Sequence, residues 1–486
     1  MKKYILEITV FFCGAIVMIY ELAGSRVLAP YIGNSIYVWT SLIGVILGSL
    51  SLGYYLGGKL ADRKADYQRF SSLIFLSAIL IGLTILSKEL ILPLFKVSYL
   101  GIEFSSLVAS LLLFAPASMV LGITSPYAVK LKMQDLQHSG ETVGNLYAIS
   151  TLGSIIGTFF AGYLLIPLLG TNNILILLFI CLIILSIILS PKNFSLIKIC
   201  LMLAFILIFF LLSYSAQAVT KIIDIDSQYN RIWIYQAANV LNLRTDPYGV
   251  QSSMFLNSDE LVAEYTKYYR LAAHFQPQLQ KTLMIGGCAY SYPKDFLEKF
   301  PQAEMDVVEI DPQMTELAKK YFRLPDNARL HIYHEDGRVF LNATQNKYDA
   351  IYLDAFSSSA NIPFQLTTKE AVQKEYDILN EQGVILVNIP GAIVGDKGNF
   401  LRAEYATYKS VFPQAYLFLV NDETDENKFQ NIILVALKSS AMPEFSSSHQ
   451  ELNSYLQHLY KQSIITDISV LTDDFAPVEY YIKKVI

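Results

Sequence analysis

Apolar runs of about twenty residues recur through the first part of the chain, near 5–25, 36–58, 71–87, 104–126, 145–169, 173–190 and 194–214. Each is about the length needed to cross a bilayer as a helix. Residues 213–230 then turn polar. Beyond them the pattern changes to short apolar runs of strand character, closed by acids or glycines and separated by helical periodicity, as in a parallel α/β sheet. The chain therefore reads as a multi-span helical membrane domain over 1–214, with about seven spans. A linker over 215–230 and a soluble Rossmann-like α/β domain over 231–486 follow. In RIWIYQAANVLNLRT an alternating pattern precedes DPYGVQ, where Pro247 presets φ and Gly249 accepts a turn conformation. This predicts a small β-hairpin region over 231–258, ahead of a main sheet over 281–438. Residues 259–275 have helical periodicity, and LTTKEAVQKEYDILNEQGVILVNI reads as a helix, a turn at Gly383 and a strand that Asn388 ends.

Composition sharpens the division. Hydrophobic residues make up 53% of the 486 and charged residues 16%. A soluble chain would carry about 25% charge. The net charge is −5, and no basic block interleaved with aromatics occurs, which argues against nucleic acid as a partner. The four cysteines form no CxxC and the six histidines no HExxH, so no metal site is expected. His331 and His334 read as structural or solvated. Glycines recur four apart at Gly44/Gly48, Gly53/Gly57 and Gly153/Gly157, a spacing that lets helices approach closely in lipid. Glu21 stands at the end of the first apolar run, with Arg26 just beyond. An acid there is either half of an interfacial ion pair or a functional group.

The chemistry concentrates between Lys281 and Asp354. The run TLMI ends at Gly286-Gly287, where a side-chain-free turn lets backbone approach a ligand. Glu309 ends the next strand, where an acid accepts hydrogen bonds from ribose hydroxyls. Asp311 precedes Pro312 and reads as a helix cap. Asp336 follows the third strand, placed to meet an adenine amino group or to cap the next helix. Asp354 ends the fourth, beside the reacting carbon. Acids at successive strand ends describe a nucleoside pocket.

On these residues the chain resembles the spermidine synthases, the aminopropyltransferases, and specifically their membrane-fused bacterial relatives. The resemblance covers about 228–438, and LTDDFAPVEYY near the C-terminus fits it too. It implies a fold of the methyltransferase/spermidine synthase type and a substrate that is S-adenosylmethionine or its decarboxylated form, with no metal. It also implies that Glu309 binds the ribose and Asp336 the adenine, that Asp354 orients or deprotonates an acceptor amine, and that Gln251 contacts the nucleoside. The family's glycine-rich turn reads GGGDGG, whereas here it is GGCAYS, with Ala289 or Tyr290 where the aspartate would hold the tail amine. The family's DSSD is DAFS here, with Ser357 in place of the second acid. Ala263 falls where the family has a tyrosine, and Tyr265, Tyr268 or Tyr269 is placed to substitute; Tyr265 is carried as the catalytic candidate beside Asp354. A diammonium acceptor needs anionic partners, and two of them are missing, so putrescine itself is disfavoured.

Three functions follow. One is transfer of a three-carbon amine-bearing group to an amine, releasing methylthioadenosine. Another is acceptor-free cleavage of S-adenosylmethionine to methylthioadenosine and homoserine lactone. The last is a non-catalytic nucleoside sensor or regulated transporter. The expected setting is the cell membrane, multi-pass, in contact with the lipid bilayer, and a homodimer is among the expectations. Lys59, Arg63, Lys64 and Arg69 belong on the cytoplasmic side. Seven spans would then put the soluble half outside, whereas the intracellular origin of sulfonium nucleosides favours a cytoplasmic site.

Overall fold

The structure, a computed structural model, describes residues 4–95, 101–133, 138–190, 198–199, 221–247, 249–355, 362–421 and 425–482. It divides into two compact units, Met1–Thr220 and Lys221–Ile486.

The first unit is helical: α1 (Ile5–Ile32), α2 (Ile36–Arg63), α3 (Tyr67–Ile91), α4 (Ile102–Leu113), α5 (Ala115–Lys132), α6 (Ser139–Phe160) and α7 (Thr171–Leu189). Among the described residues five helices are long and apolar enough to cross a membrane, and α4 and α5 together make a sixth, bent by 53°. The expected span at 194–214 lies outside the described residues, apart from 198 and 199. The single run expected at 104–126 is thus two helices. Pro116, in the first turn of α5, has no amide hydrogen, and its ring would meet the carbonyl of Leu112 in a continuous helix. The break frees the Leu113 carbonyl, which accepts hydrogen bonds from Tyr20 (3.0 Å) and Thr84 (2.7 Å), so this acceptor is satisfied within the apolar unit.

The glycine pairs divide by role. A Cβ on Gly53 would lie 2.2 Å from the Met119 carbonyl oxygen, and one on Gly153 2.0 Å from that of Phe11. These residues seat α2 on α5 and α6 on α1. A Cβ on Gly44 or Gly48 would meet nothing, so that pair seats no helix of the described chain. Glu21 lies well inside α1 rather than at its end, and no ion pair joins it to Arg26.

The second unit begins with a four-stranded antiparallel sheet in the order β1 (Lys221–Asp226), β2 (Arg231–Ala237), β3 (Val240–Arg244), β4 (Ser252–Phe255). Strand β1 falls inside the segment expected to be a linker. Helical structure between β4 and the main sheet runs from Glu264 to Phe275, with 259–263 outside it. The main sheet has seven strands: β5 (Lys281–Ile285), β6 (Glu304–Val308), β7 (Leu330–Tyr333), β8 (Tyr348–Leu353), β9 (Leu379–Gly391), β10 (Gln414–Leu419) and β11 (Gln430–Leu437). Their order is β10-β11-β9-β8-β5-β6-β7. Strands β5 to β9 run parallel, and β11 and β10 pair antiparallel at one edge. Helices α8 (Ser291–Lys299), α9 (Pro312–Tyr321), α10 (Gly337–Ala343), α11 (Lys369–Ile378) and α12 (Asn399–Lys409) connect them. Alternation sends Leu283, Ile285, Ile351 and Leu353 to one face of the sheet and Met284, Ala350 and Tyr352 to the other. Both faces are therefore core, as a parallel sheet requires. Gly383, expected to make a turn, lies within β9, where the pairing to β8 jumps from Leu379 to Val384.

Between α11 and α12 lie two buried acids. Glu375 is 0% and Glu404 2% exposed. The Tyr408 hydroxyl donates to Glu375 at 2.8 Å, while one oxygen of each carboxyl has no partner among the described residues. Burial pushes Glu375 up to about 8, and burial with the neighbouring Glu375 pushes Glu404 well above the carboxylate range. The folded state thus holds a proton that the unfolded chain releases near the ordinary glutamate value of 4.5. The stabilisation is complete below that pH and is lost as the pH rises through about 8. Melting temperatures of the detergent-solubilised protein should therefore fall across that window, and Glu375→Gln should flatten the slope. An unchanged slope in the variant would contradict the assignment.

Candidate active site at the carboxyl end of the parallel sheet

The strand order reverses between β5 and β8. In open parallel sheets the crevice outside the strand ends at such a point is where ligands bind. Gly286 follows β5 with φ +95°, and its amide bonds the Val308 carbonyl at 2.9 Å. A Cβ there would stand 2.2 Å from the carbonyl oxygen of Asp354. Only glycine combines that φ with that approach. On the other side, the Asp354 amide donates to the Ile285 carbonyl at 2.9 Å. The two strand ends are thereby stitched together, with Asp354 at the seam.

Glu309, just past β6 and 7% exposed, organises the loop. One carboxylate oxygen accepts the amides of Gly287 (3.0 Å) and Cys288 (2.8 Å), and the other accepts that of Asp311 (2.9 Å). Burial raises its pKa, against the pull of these three amides. A carboxylate has about four lone-pair sites, so acceptor capacity is left for a hydroxyl. Asp311 caps α9 through Gln313, as expected, and its second oxygen accepts from Ser227 (2.5 Å) and Asn230 (3.3 Å) of the turn after β1. The small sheet is pinned to the loop in a second way, by Ser252–Ser291 at 3.0 Å, and its apolar face packs on Ala289, Met314 and Leu317.

Asp354 is half-buried, with protein packed densely around its carboxylate. Tyr265 donates to one oxygen at 3.0 Å and the Asn388 amide to the other at 3.1 Å. Asn431 donates to the Asn388 oxygen at 2.9 Å, which fixes the Asn388 amide with its NH2 toward Asp354. The Tyr269 hydroxyl is close enough to feel the Asp354 charge but makes no well-formed hydrogen bond. Burial raises the Asp354 pKa, and the Asn388 and Tyr265 bonds oppose it. Burial first, and Asp354 second, hold the Tyr265 hydroxyl well above its ordinary range.

The structure thus brings Gly286, Gly287, Glu309, Asp354 and Tyr265 together. Gln251 immediately precedes β4, its backbone amide bonded to Leu243 at 2.9 Å, and its side chain makes no hydrogen bond among the described residues. Asp336 caps α10 through the amides of Arg338 (2.8 Å) and Val339 (3.2 Å), and its other oxygen accepts from Gln365 at 3.3 Å. Arg338 is clamped by Asp473 at 2.9 and 2.7 Å. Tyr268 points away, toward the Val420 carbonyl at 3.5 Å. Ser357 lies outside the described residues. Ala289 and Tyr290, the two candidates for the position of the absent loop aspartate, are both fully buried; the Tyr290 ring lies under Gly287 and its hydroxyl on Thr315 (2.7 Å), which in turn meets His334 (2.9 Å). Asn388 and Asn431 carry no sequence signal of their own, because amides are common in sheets and only the pairing of β9 with β11, Asn388 against Ile433, aligns them.

Residues 266–438, within the second unit, match the family model described as spermine/spermidine synthase domain. A protein of Vibrio vulnificus named polyamine aminopropyltransferase is 32% identical over 153 residues, 31% of this chain and 49% of the relative. One of Aquifex aeolicus named polyamine aminopropyltransferase 2 is 24% identical over 412 residues, 78% of each chain. That length reaches into the helical unit. An N-terminal histidine N-methyltransferase of Emericella nidulans is 33% identical over 144 residues, 28% of this chain and 25% of the relative. The chain thus spans about half the length of the first of these and a quarter of the last.

Gly286→Ala should destabilise the protein by at least about 2 kcal/mol, since it adds both a strained φ and an overpacked atom. A thermal melt would register this, and an unaltered melting temperature would refute the close approach to Asp354.

Proposed function

We propose that the chain is a membrane-anchored enzyme that cleaves a sulfonium nucleoside, S-adenosylmethionine or its decarboxylated form, to methylthioadenosine, passing a three-carbon amine-bearing group to an amine acceptor. The observation that carries this reading is the Asp354 carboxylate, held on both oxygens at the strand switch, one strand from the Glu309 loop. In this scheme Glu309 accepts from the ribose hydroxyls, while Asp336 and Gln251 flank the base. The attacking nitrogen forms its bond to carbon as the carbon–sulfur bond breaks. The electron pair leaves on sulfur as a neutral thioether, and the surplus ammonium proton passes to Asp354. A carboxylate of raised pKa is the better base for that step. Tyr265 and Asn388 keep it aligned, which matters because in-line displacement depends on positioning.

The acceptor-free reading has one observation in its favour. Ala289 and Tyr290, the two candidates for the loop position of the missing aspartate, are both buried and neither is an acid, so no acid from that position meets the tail ammonium. A tail that carries its own carboxylate, as in intact S-adenosylmethionine, has less need of one.

Crossings by the six described spans leave residue 190 on the side of the N-terminus, together with Arg63, Lys64 and Lys132. The positive-inside tendency makes that side cytoplasmic, and a second unit on the same side would meet nucleosides where they are made.

Purified full-length protein incubated with S-adenosylmethionine alone, or with the decarboxylated donor plus amines, should release methylthioadenosine in one mixture, followed by mass spectrometry. Asp354→Asn should lower the rate by roughly 10²–10⁴-fold. Product from S-adenosylmethionine alone would select the intramolecular reaction, and release in neither mixture would sink both. The acidic limb of the pH–rate profile should lie above the ordinary aspartate range. Asn388→Ala should move it further toward alkaline pH, because the lost hydrogen bond favours the charged form. A limb that stays in place would remove Asn388 from the mechanism.

A further inference from the structure

The C-terminal run LTDDFAP has no part in the chemistry above, yet it is tied to the crevice. Within 471–475 a tight turn is closed by Thr472 and Phe475, whose amides and carbonyls bond each other at 3.1 and 3.0 Å. Leu471 is buried, its carbonyl accepting the Lys369 amide at 2.8 Å and its amide donating to Thr407 at 3.0 Å. The turn is thereby fixed to the start of α11, and the Asp473 amide adds a bond to Glu370 at 2.9 Å. From there Asp473 accepts from Arg338 with both oxygens, at 2.9 and 2.7 Å, and from Thr368 at 2.6 Å. Two parallel charge-assisted bonds fix the guanidinium in direction as well as in place. The Arg338 and Thr368 bonds hold the Asp473 pKa below the ordinary aspartate range, so the clamp is ionic. Held this way, Arg338 donates to the Gln365 carbonyl at 2.8 Å. Gln365, in the short turn of helix Phe364–Leu366, sends its side-chain amide to Asp336 at 3.3 Å, and Asp336 accepts the Arg338 backbone amide at 2.8 Å. Asp336, Arg338 and Gln365 therefore form a closed ring, braced from outside by Asp473. The ring stands at the crevice: a Cβ on Gly337 would lie 2.7 Å from the side chain of Ile285, the residue before the Gly286 turn.

We propose that Asp473 is a positioning residue for recognition of the base, aiming Asp336 through Arg338 and Gln365 so that one carboxylate oxygen faces the exocyclic amine. This rests on the reading that Asp336 meets the adenine amino group. One Asp336 oxygen is taken by the two helix-cap amides, and the other accepts only the Gln365 amide among the described residues, which leaves it acceptor capacity. A 6-amino purine donates to that oxygen. A 6-oxo purine presents an acceptor there instead, and the carboxylate is left unsatisfied. The C-terminal run thus sets which base the crevice favours without touching it.

The test titrates methylthioadenosine and its 6-oxo counterpart, methylthioinosine, against full-length protein in detergent by isothermal calorimetry. The readout is the ratio of the two dissociation constants within each variant, a ratio that a partial loss of folded protein does not move. The wild-type protein should favour methylthioadenosine, and Asp336→Ala should remove the preference. Asp473→Ala should cut it roughly tenfold, the worth of one hydrogen bond to a charged group, by weakening methylthioadenosine and not methylthioinosine. A preference lost in Asp336→Ala but unchanged in Asp473→Ala overturns the role of Asp473 and leaves the reading of Asp336 standing. Binding of neither nucleoside, no preference in the wild type, or a preference indifferent to Asp336→Ala overturns both. Should Asp473→Ala fail to fold, Arg338→Met removes the guanidinium and keeps the backbone amide on Asp336. A reduced ratio in that variant supports the proposal, and an unchanged one overturns it.

Discussion

Two strand ends touching through a residue without a side chain are the constraint on which the second unit is built. Gly286 turns with φ +95° directly over the Asp354 carbonyl. The same close approach lets the loop after β5 lie flat enough for the Gly287 and Cys288 amides to reach Glu309. Glu309 then holds the Asp311 amide, Asp311 holds the turn after β1, and the small sheet is drawn onto the loop. Loop, the Glu309 carboxylate and the antiparallel cover are consequences of one backbone contact. The loop bears some strain in return: Cys288 and Tyr290, neither of them glycine, have φ of 47° and 56°.

The helical unit solves a different problem with similar means. In so apolar a unit, a broken helix must find internal partners for its freed carbonyls. Tyr20 and Thr84 do so for Leu113, and their hydroxyls also meet each other at 2.9 Å. Packing elsewhere relies on backbone contact through Gly53, Gly57, Gly153 and Gly157. The unit is therefore closely packed where small residues face helices and polar at the bend.

The sequence made the sheet and its strand-end acids legible because both follow from local pattern. Apolar runs of strand length closed by Gly286, Glu309 and Asp354 can be seen without tertiary information. The tyrosine donor could be narrowed to three residues but not chosen, since the irregular helix from Glu264 to Phe275 presents Tyr265 and Tyr269 to Asp354 and turns Tyr268 away. Asn388 and Asn431 were invisible because their role depends on the pairing of β9 with β11. Gly383 misled, as a glycine at a bulge in a strand looks like a turn. The bend at Phe114 was hidden in an unbroken apolar run, where hydropathy averages over the proline that causes it. The depth of Glu21 in α1 could be judged only once the helix was seen to continue to Ile32.

Tyr290 bears on how such a domain could change its specificity. Its ring fills the space beneath Gly287, and its hydroxyl closes a chain through Thr315 to His334 that ties the loop to α9 and to the end of β7. Installing an acid at that position would therefore not simply add a charge to the crevice. It would empty a core site, take from the Thr315 hydroxyl one of its two partners and loosen the loop that Glu309 grips. Changing Tyr290 thus touches at least three coupled residues, and the packing beneath the loop constrains what the loop can become.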